Sequence, residues 1–368
     1  MMAAAINYTP SSMLKRLLFN ALAWGLISSA AQAQVGGLFA YEFLNLSPSA
    51  RVAALGAAHI AVADDDVNLA SGNPALLNAA MHQQLSFSHA FHLAGVQHGY
   101  AAMALHQPRW KTTFHAGIQY ADYGDFDLTN EFGEVEGTFS ANEYAFTVGA
   151  GRQIYERISA GANLRFVSSQ LETYRSAGLV GDLALLYEDT ASRFSATLVL
   201  RNMGGQLTAY APGNAEPLPF EMQAGIARRL KHLPLRFSVI YRFLDRWNIL
   251  YDDPNAKEDN FLLNDTPTER SRSSIWLDNF FRHFVFNAEL LLGARDNFRL
   301  RAGYSHLLRQ ELSEADYRSF AGFTFGLGIK INRFRLDFGR TNFHIGGGVN
   351  QLSIATNLRE FKRTTPRN

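Results

Sequence analysis

Between residues 84 and 358 the chain repeats one pattern, about ten residues of alternating apolar and small or polar side chains followed by a turn. Ile158, Ala160, Ala162, Leu164 and Phe166 alternate with Ser159, Gly161, Asn163 and Arg165. Phe323, Phe325, Leu327, Ile329 and Ile331 alternate with Thr324, Gly326, Gly328 and Lys330, and Phe334, Leu336 and Phe338 with Arg335, Asp337 and Gly339. Successive side chains of a strand point to opposite faces, so this alternation predicts a sheet with one apolar and one polar face. A soluble sandwich would alternate too. Length separates the cases: globular strands average about five or six residues, whereas tilted membrane strands need about 9–11. Most segments here are of the longer kind.

Strands are expected near 84–92, 97–106, 112–122, 143–152, 157–168, 178–188, 193–202, 219–229, 235–244, 283–293, 298–308, 318–331, 334–342 and 350–358. From the second strand on, short connections at 107–111, 153–156, 189–192, 230–234, 294–297 and 332–333 alternate with excursions near 123–142, 169–177, 203–218, 245–282, 309–317 and 343–349. Short turns on one side and long loops on the other characterise an up-and-down outer-membrane barrel. A Greek-key sandwich has no reason to obey that parity. The expectation is therefore an all-β fold, a transmembrane antiparallel barrel of about 14 strands with its apolar face on outer-membrane lipid. The polar face carries Arg165, Asp182, Arg201, Arg242, Glu289, Arg299, Arg301, Arg335 and Asp337. Such a lattice lines either an aqueous lumen or the seat of an inner plug. His89 fits badly, falling on the face of Leu85, Phe87 and Phe91.

The first 33 residues read as a signal peptide. Lys15 and Arg16 are the basic region, Leu17 to Ile27 the apolar region, and Ala31-Gln32-Ala33 the small-residue cleavage site. That apolar run is too short for a spanning helix, which needs about 20 residues. Residues 1–12 precede Met13 and read as a start-site artefact.

Residues 34–83 do not alternate. They hold a small, Ala-rich stretch from Ala50 interrupted by Gly56, then Asp64-Asp65-Asp66, then Asn73-Pro74. Asn before Pro signals a turn. A compact segment before the first strand can pack inside the barrel as a hatch. The expected layout is thus a hatch over 34–83, a barrel over 84–361 and a tail over 362–368.

Here the sequence resembles a known family. Ala-Arg-x-Ala-Ala-Leu-Gly at 50–56, Val-Ala-Asp-Asp at 62–65 and Asn-Pro-Ala at 73–75 look like the hatch of FadL-like fourteen-stranded outer-membrane barrels. Dispersed stretches at 43–46, 64–66, 73–78, 117–120, 137–141, 201–207 and 217–221 narrow the resemblance to the PorQ family of the Bacteroidota type IX secretion system. It implies a non-enzymatic barrel in the cell-surface attachment complex, anchoring a PorZ-like surface protein beside the PorU–PorV sortase module. A FadL-like channel for hydrophobic solutes is the alternative. In one departure, many outer-membrane barrels end on an aromatic residue, whereas Phe361 is followed by seven more residues.

Composition narrows the chemistry. Aromatics reach 12%, with 28 Phe and 14 Tyr, which suits strands. A net charge of +1 removes any global electrostatic argument for nucleic acid. The absence of Cys removes disulfides, thiolate metal sites and a lipid anchor. No cofactor is expected. Ser12-Met13-Leu14-Lys15 matches a penicillin-recognising motif by chance, within the signal peptide and without its partner motifs. His82, His89, His92, His98, His106 and His115 crowd one stretch, but His89 and His92 should face opposite ways, against a metal site. Asp64, Asp65 and Asp66 lack the spacing of a calcium loop. They read as a solvated turn or helix cap, with an ion pair to lumen arginines as the other structural option. Ser305 and His306, adjacent on one expected strand, cannot form a nucleophile–base pair. The 245–282 excursion is the expected partner contact, through Trp247, Tyr251, Phe261 and Trp276, because aromatic anchors dominate protein interfaces; a disordered loop, or aromatics lying along the membrane interface, are the alternatives.

Overall fold

The computed structural model describes residues 39–92, 95–250, 272–312, 320–344 and 347–361. The expected signal peptide, Tyr251, Phe261 and the 362–368 tail lie outside the described residues.

Fourteen strands are described. They are β1 (Gln84–Phe91), β2 (Gln97–Gln107), β3 (Thr112–Thr129), β4 (Val135–Tyr155), β5 (Ile158–Leu171), β6 (Tyr174–Asp189) and β7 (Phe194–Thr208). There follow β8 (Glu221–Arg229), β9 (Leu235–Tyr241), β10 (Phe284–Leu292), β11 (Phe298–Ser305), β12 (Phe323–Ile331), β13 (Phe334–His344) and β14 (Gly347–Asn357). Each pairs antiparallel with its neighbours in sequence, and β14 closes on β1 with Phe87 opposite Ile354. Closure leaves no sheet edge, the condition for crossing hydrocarbon with strands.

The alternation holds around the wall. Phe87, Leu164, Phe166, Phe325, Leu327 and Leu336 are exposed on the outer face, while Arg165, Asp182, Glu289, Arg301, Arg335 and Asp337 are buried towards the lumen. His89 stands among the outward residues, yet its Nδ1 lies 2.6 Å from the Tyr120 hydroxyl on β3, a partner that lowers the penalty of an apolar surround.

Several boundaries differ from expectation. The 123–142 and 169–177 excursions are mostly strand, so β3 and β4 run 18 and 21 residues and rise as a hairpin above the rim. Their apolar alternation is weaker there, which is why they read as loop. The strand expected over 298–308 ends at Ser305, whose hydroxyl caps helix α3 (His306–Glu311) by accepting from the Leu308 amide. The 245–282 excursion is not without structure, since helix α2 spans Arg272–Arg282. The chain ends its described course in a turn at Leu358–Phe361, where Phe361 lies edge-on to Phe334 at 5.9 Å.

Inside the barrel, residues 39–82 form short turns and helix α1 (Ala50–Ala54). They thread from the long-loop end, where the Ala40 amide donates to the Pro217 carbonyl, to the short-turn end, where β1 begins. The buried apolar core lies between this segment and the wall: Val52, Ile60, Val62, Leu69 and Leu76 pack on Leu186, Val199, Ile240 and Val285.

Candidate functional site

The hatch is fastened to the wall at most of its motif positions, and where small residues stand the two backbones approach closely. The Ala50 amide donates to Ser353 Oγ on β14 at 2.8 Å. Gly56 sits at φ 68°, a region open to glycine, and its amide donates to Thr324 Oγ1 at 2.9 Å. Asn73 caps the turn that starts at Pro74 and reaches the Ile60 carbonyl at 2.7 Å and Thr197 Oγ1 at 2.8 Å. Pro74 lies so close to Gly161 on β5 that a Cβ there would overlap its carbonyl.

Charge does the rest. Arg51, fully buried on α1, binds Asp64 at 2.7 Å, Asp66 at 3.1 Å and Glu289 of β10 at 3.1 Å. Glu289 is shared with Arg236 at 2.5 Å and Arg301 at 3.0 Å, and Arg301 continues to Asp337 at 2.6 Å. Arg335 of β13 holds Asp65 at 2.6 Å. The aspartate triplet is therefore not a solvated turn. Asp66 does cap a turn, through the Asn68 amide, but Asp64 and Asp65 are the hatch's ion pairs to wall arginines. Burial alone would raise the Asp64 carboxyl, and Arg51 and Arg236 more than reverse that, holding it well below the usual carboxylate range. Burial likewise opposes ionisation of Asp65, and Arg335 wins, leaving its pKa lowered. A second cluster sits across the lumen, where Arg165 binds Asp182 at 2.6 Å and the hatch carbonyl of Ser71 at 2.5 Å. Arg242 pairs with Glu221 at 2.7 Å. The polar lattice is thus the seat of a plug.

Cavities remain at either end. One of about 560 Å³ opens at the short-turn end beside Asp64, Arg236 and Arg299, and one of about 460 Å³ at the long-loop end beside Tyr41 and Tyr210. Between them lies a space of about 20 Å³ next to His59, Arg201 and Gln223. No residue lines more than one of the three.

At the long-loop rim the structure brings Trp247 and Trp276 together, with ring centroids 5.7 Å apart. Trp276 stacks on Phe280 at 5.5 Å, and the series continues through Phe284 to Phe286 on the outer wall. Asn279, which sequence reasoning did not single out, ties the two sides by donating to the Trp247 carbonyl at 2.6 Å and accepting from the Ile249 amide at 3.1 Å. Its spacing three residues past Trp276 on an amphipathic helix was the available signal. Trp247 and Trp276 remain 46% and 52% exposed, so the cluster offers surface as well as packing.

The six histidines do not converge on one point: His82 accepts from the His106 amide at 3.0 Å, and only one pair of rings meets. His92 and His98 meet at 2.6 Å, because His92 lies beyond the end of β1, where strand alternation no longer sets its direction. Ser305 and His306 do not pair. The serine hydroxyl caps α3, and the imidazole lies between the Tyr304 hydroxyl at 2.8 Å and Asp278 at 3.2 Å.

No protein-family model and no curated protein matches the sequence. Solved structures do. The chain is similar to CymD, a monoaromatic hydrocarbon channel, at 15% identity over 86% of this chain and 97% of that one, with a TM-score of 0.52. It is also similar to the toluene transporter TodX of Pseudomonas putida, at 11% identity over 88% and 98% with a TM-score of 0.47. A FadL homologue of Pseudomonas aeruginosa follows at 10% identity over 84% and 98%, with a TM-score of 0.43. These neighbours are outer-membrane barrels of the FadL kind, and the likeness is one of fold.

Proposed function

We propose that this chain is an exported, non-enzymatic outer-membrane barrel that anchors a surface partner, with its short turns in the periplasm and its long loops outside. The observation that carries this reading is the hatch packed inside the lumen. Buried ion pairs hold a hatch across it, and the cavities at its two ends share no lining residue. A barrel filled in this way offers a rigid membrane seat and a displayed rim. The PorQ resemblance gives that rim an occupant, a PorZ-like protein held beside the PorU–PorV sortase module of type IX secretion. The half-exposed Trp247 and Trp276 are the proposed contact, since aromatic anchors carry much of the energy of protein interfaces. Purifying the tagged chain from its own membranes and identifying what accompanies it tests the reading. Deleting residues 255–267 should leave a heat-modifiable barrel and abolish partner retention. Unchanged retention would move the contact to another loop.

The second reading, a channel for hydrophobic solutes, is favoured by the fold shared with CymD and by the largely apolar cavity at the long-loop mouth. Hydrocarbon uptake that depends on this barrel would establish it.

A further inference from the structure

The cavity at the long-loop mouth has a lining whose chemistry neither reading explains. Its floor is the start of the hatch, where Tyr41 adopts a left-handed backbone (φ 63°) and its hydroxyl lies 2.5 Å from Ser176 Oγ on β6. One wall is the projecting β3–β4 hairpin. A register shift between Asp122 and Asp125 changes which residues of β3 face inward, and it brings Phe126 into the cavity opposite Phe139. Their rings stack at 5.3 Å. Tyr210 closes the far side, its ring 6.4 Å from that of Tyr41. The volume, about 460 Å³, falls in the range of small-molecule sites.

Three acidic residues, Glu42, Glu143 and Glu216, line this aromatic space, and the lining contains no Lys, Arg or His. Glu143 is 4% exposed, and its partners are the Tyr123 hydroxyl at 2.7 Å and Ser169 rather than a cation. Two arginines lie outside the lining and are already engaged: Arg246, over the Phe39 ring at 5.7 Å, faces Asp245 at 3.9 Å, and Arg242, within electrostatic range of Glu42, is paired with Glu221 at 2.7 Å. A carboxylate withdrawn from water without a counter-charge is unfavourable, and aromatic faces attract the same sign of ligand that a carboxylate does. A neutral hydrocarbon would satisfy the rings and leave the acids uncompensated. We propose that this pocket binds an organic cation, an ammonium or guanidinium group carried either by a free solute or by a basic side chain of a partner. The site stands whether the barrel is an anchor or a channel.

The test uses the full mature chain in detergent, titrated calorimetrically with choline, with Nα-acetyl-lysine amide, and with 3,3-dimethylbutan-1-ol. The last has the shape of choline with carbon in place of the charged nitrogen. At least one cation should bind about tenfold tighter than the neutral isostere, the order of a partly desolvated cation–π contact. The tighter of the two cations identifies the source as free solute or side chain. Glu143→Gln should weaken the cation about tenfold and leave the neutral probe unchanged. Phe139→Leu, on the hairpin above the rim, reports on the same cage if Glu143→Gln yields no heat-modifiable barrel. Equal binding of cation and isostere, preference for the isostere, or no binding of any probe overturns the proposal.

Discussion

Arg51→Met is the sharpest test of how the hatch is held. Methionine keeps most of the side-chain volume and removes a guanidinium that touches three carboxylates. The losses are unequal. Glu289 retains Arg236 and Arg301, and Asp64 retains Arg236, but Asp66 loses the guanidinium that pairs with it while only 2% exposed. Removing one partner of a buried pair costs about 3–5 kcal/mol, chiefly through the charge left behind. With two of the three acids still paired, the lower end applies, about 3 kcal/mol. At about 1.4 kcal/mol per factor of ten, the undocked hatch should become roughly a hundredfold more populated. In planar bilayers the wild-type mature chain should show little conductance, and the variant should show frequent openings. Protease added to the open state should cut within the hatch. Converting Asp66 to Asn in the same chain should restore part of the closure, because it removes the stranded charge. If Arg51→Met conducts no more than wild type and melts at the same temperature, the ion pairs do not hold the hatch.

Burial pushes the His59 imidazole down to about 3, so the hatch docks with it neutral. The undocked state takes up the proton below its ordinary value near ~6.5, so docking should weaken by about 1.4 kcal/mol per pH unit between there and 3, read as rising conductance that His59→Asn flattens. Asp64 and Asp65 have lowered values, so their contribution is present above the ordinary carboxylate range near ~3.9 and fades below it; conductance should rise again in that acid window, even in His59→Asn. Gly161→Val places a side chain where the Pro74 carbonyl lies, and should open the lumen while leaving the outer wall folded, seen as conductance with retained heat-modifiability. An epitope inserted at Gly213 should be reachable on intact cells and one at Tyr155 should not; the reverse would invert the barrel.

The barrel was legible because its pattern is local. Alternation and turn parity are properties of consecutive residues, and a residue such as Leu164 declares its face by its neighbours alone. What failed was non-local. Phe126 is set by a bulge at 122–125, where Gly124 sits at φ 82°; that glycine marks an irregularity locally but does not say which face Phe126 takes beyond it. Asp64 and Asp65 look like a hydrophilic turn when read along the chain, and their partners Arg236 and Arg335 are 172 and 270 residues away. The hatch itself could be named from its motif, but its fit could not. Pro74 against Gly161, and Gly56 against Gly303, are meetings of hatch and wall backbone that no periodicity encodes. The rim shows the intermediate case. Trp247 and Trp276 were singled out as aromatics costly to leave in water, while Asn279, which orders them, was marked only by its spacing from Trp276, a signal that names no partner.

The same ledger of contacts bears on whether the hatch is a gate or a fixture. Among the links that tie it to the wall through charged groups, the four shortest are Arg51 to Glu289, Asp64 to Arg236, Asp65 to Arg335, and the Ser71 carbonyl to Arg165. Hydrogen bonds to charged groups contribute about 1.5–3 kcal/mol each, so the four together amount to roughly 6–12 kcal/mol. A ligand that opened such a hatch from mostly closed to mostly open would need a preference of about 5.5 kcal/mol for the open state even if closure were favoured only a hundredfold. The ion pairs alone favour it by more. A small neutral solute entering at the long-loop mouth meets none of these links, since no residue of that cavity takes part in them. Its contacts there are with the first residues of the hatch, Phe39 to Glu42, so it biases that end alone and acts on none of the four charged links. That asymmetry supports a static plug, and with it a barrel that works by display at its rim.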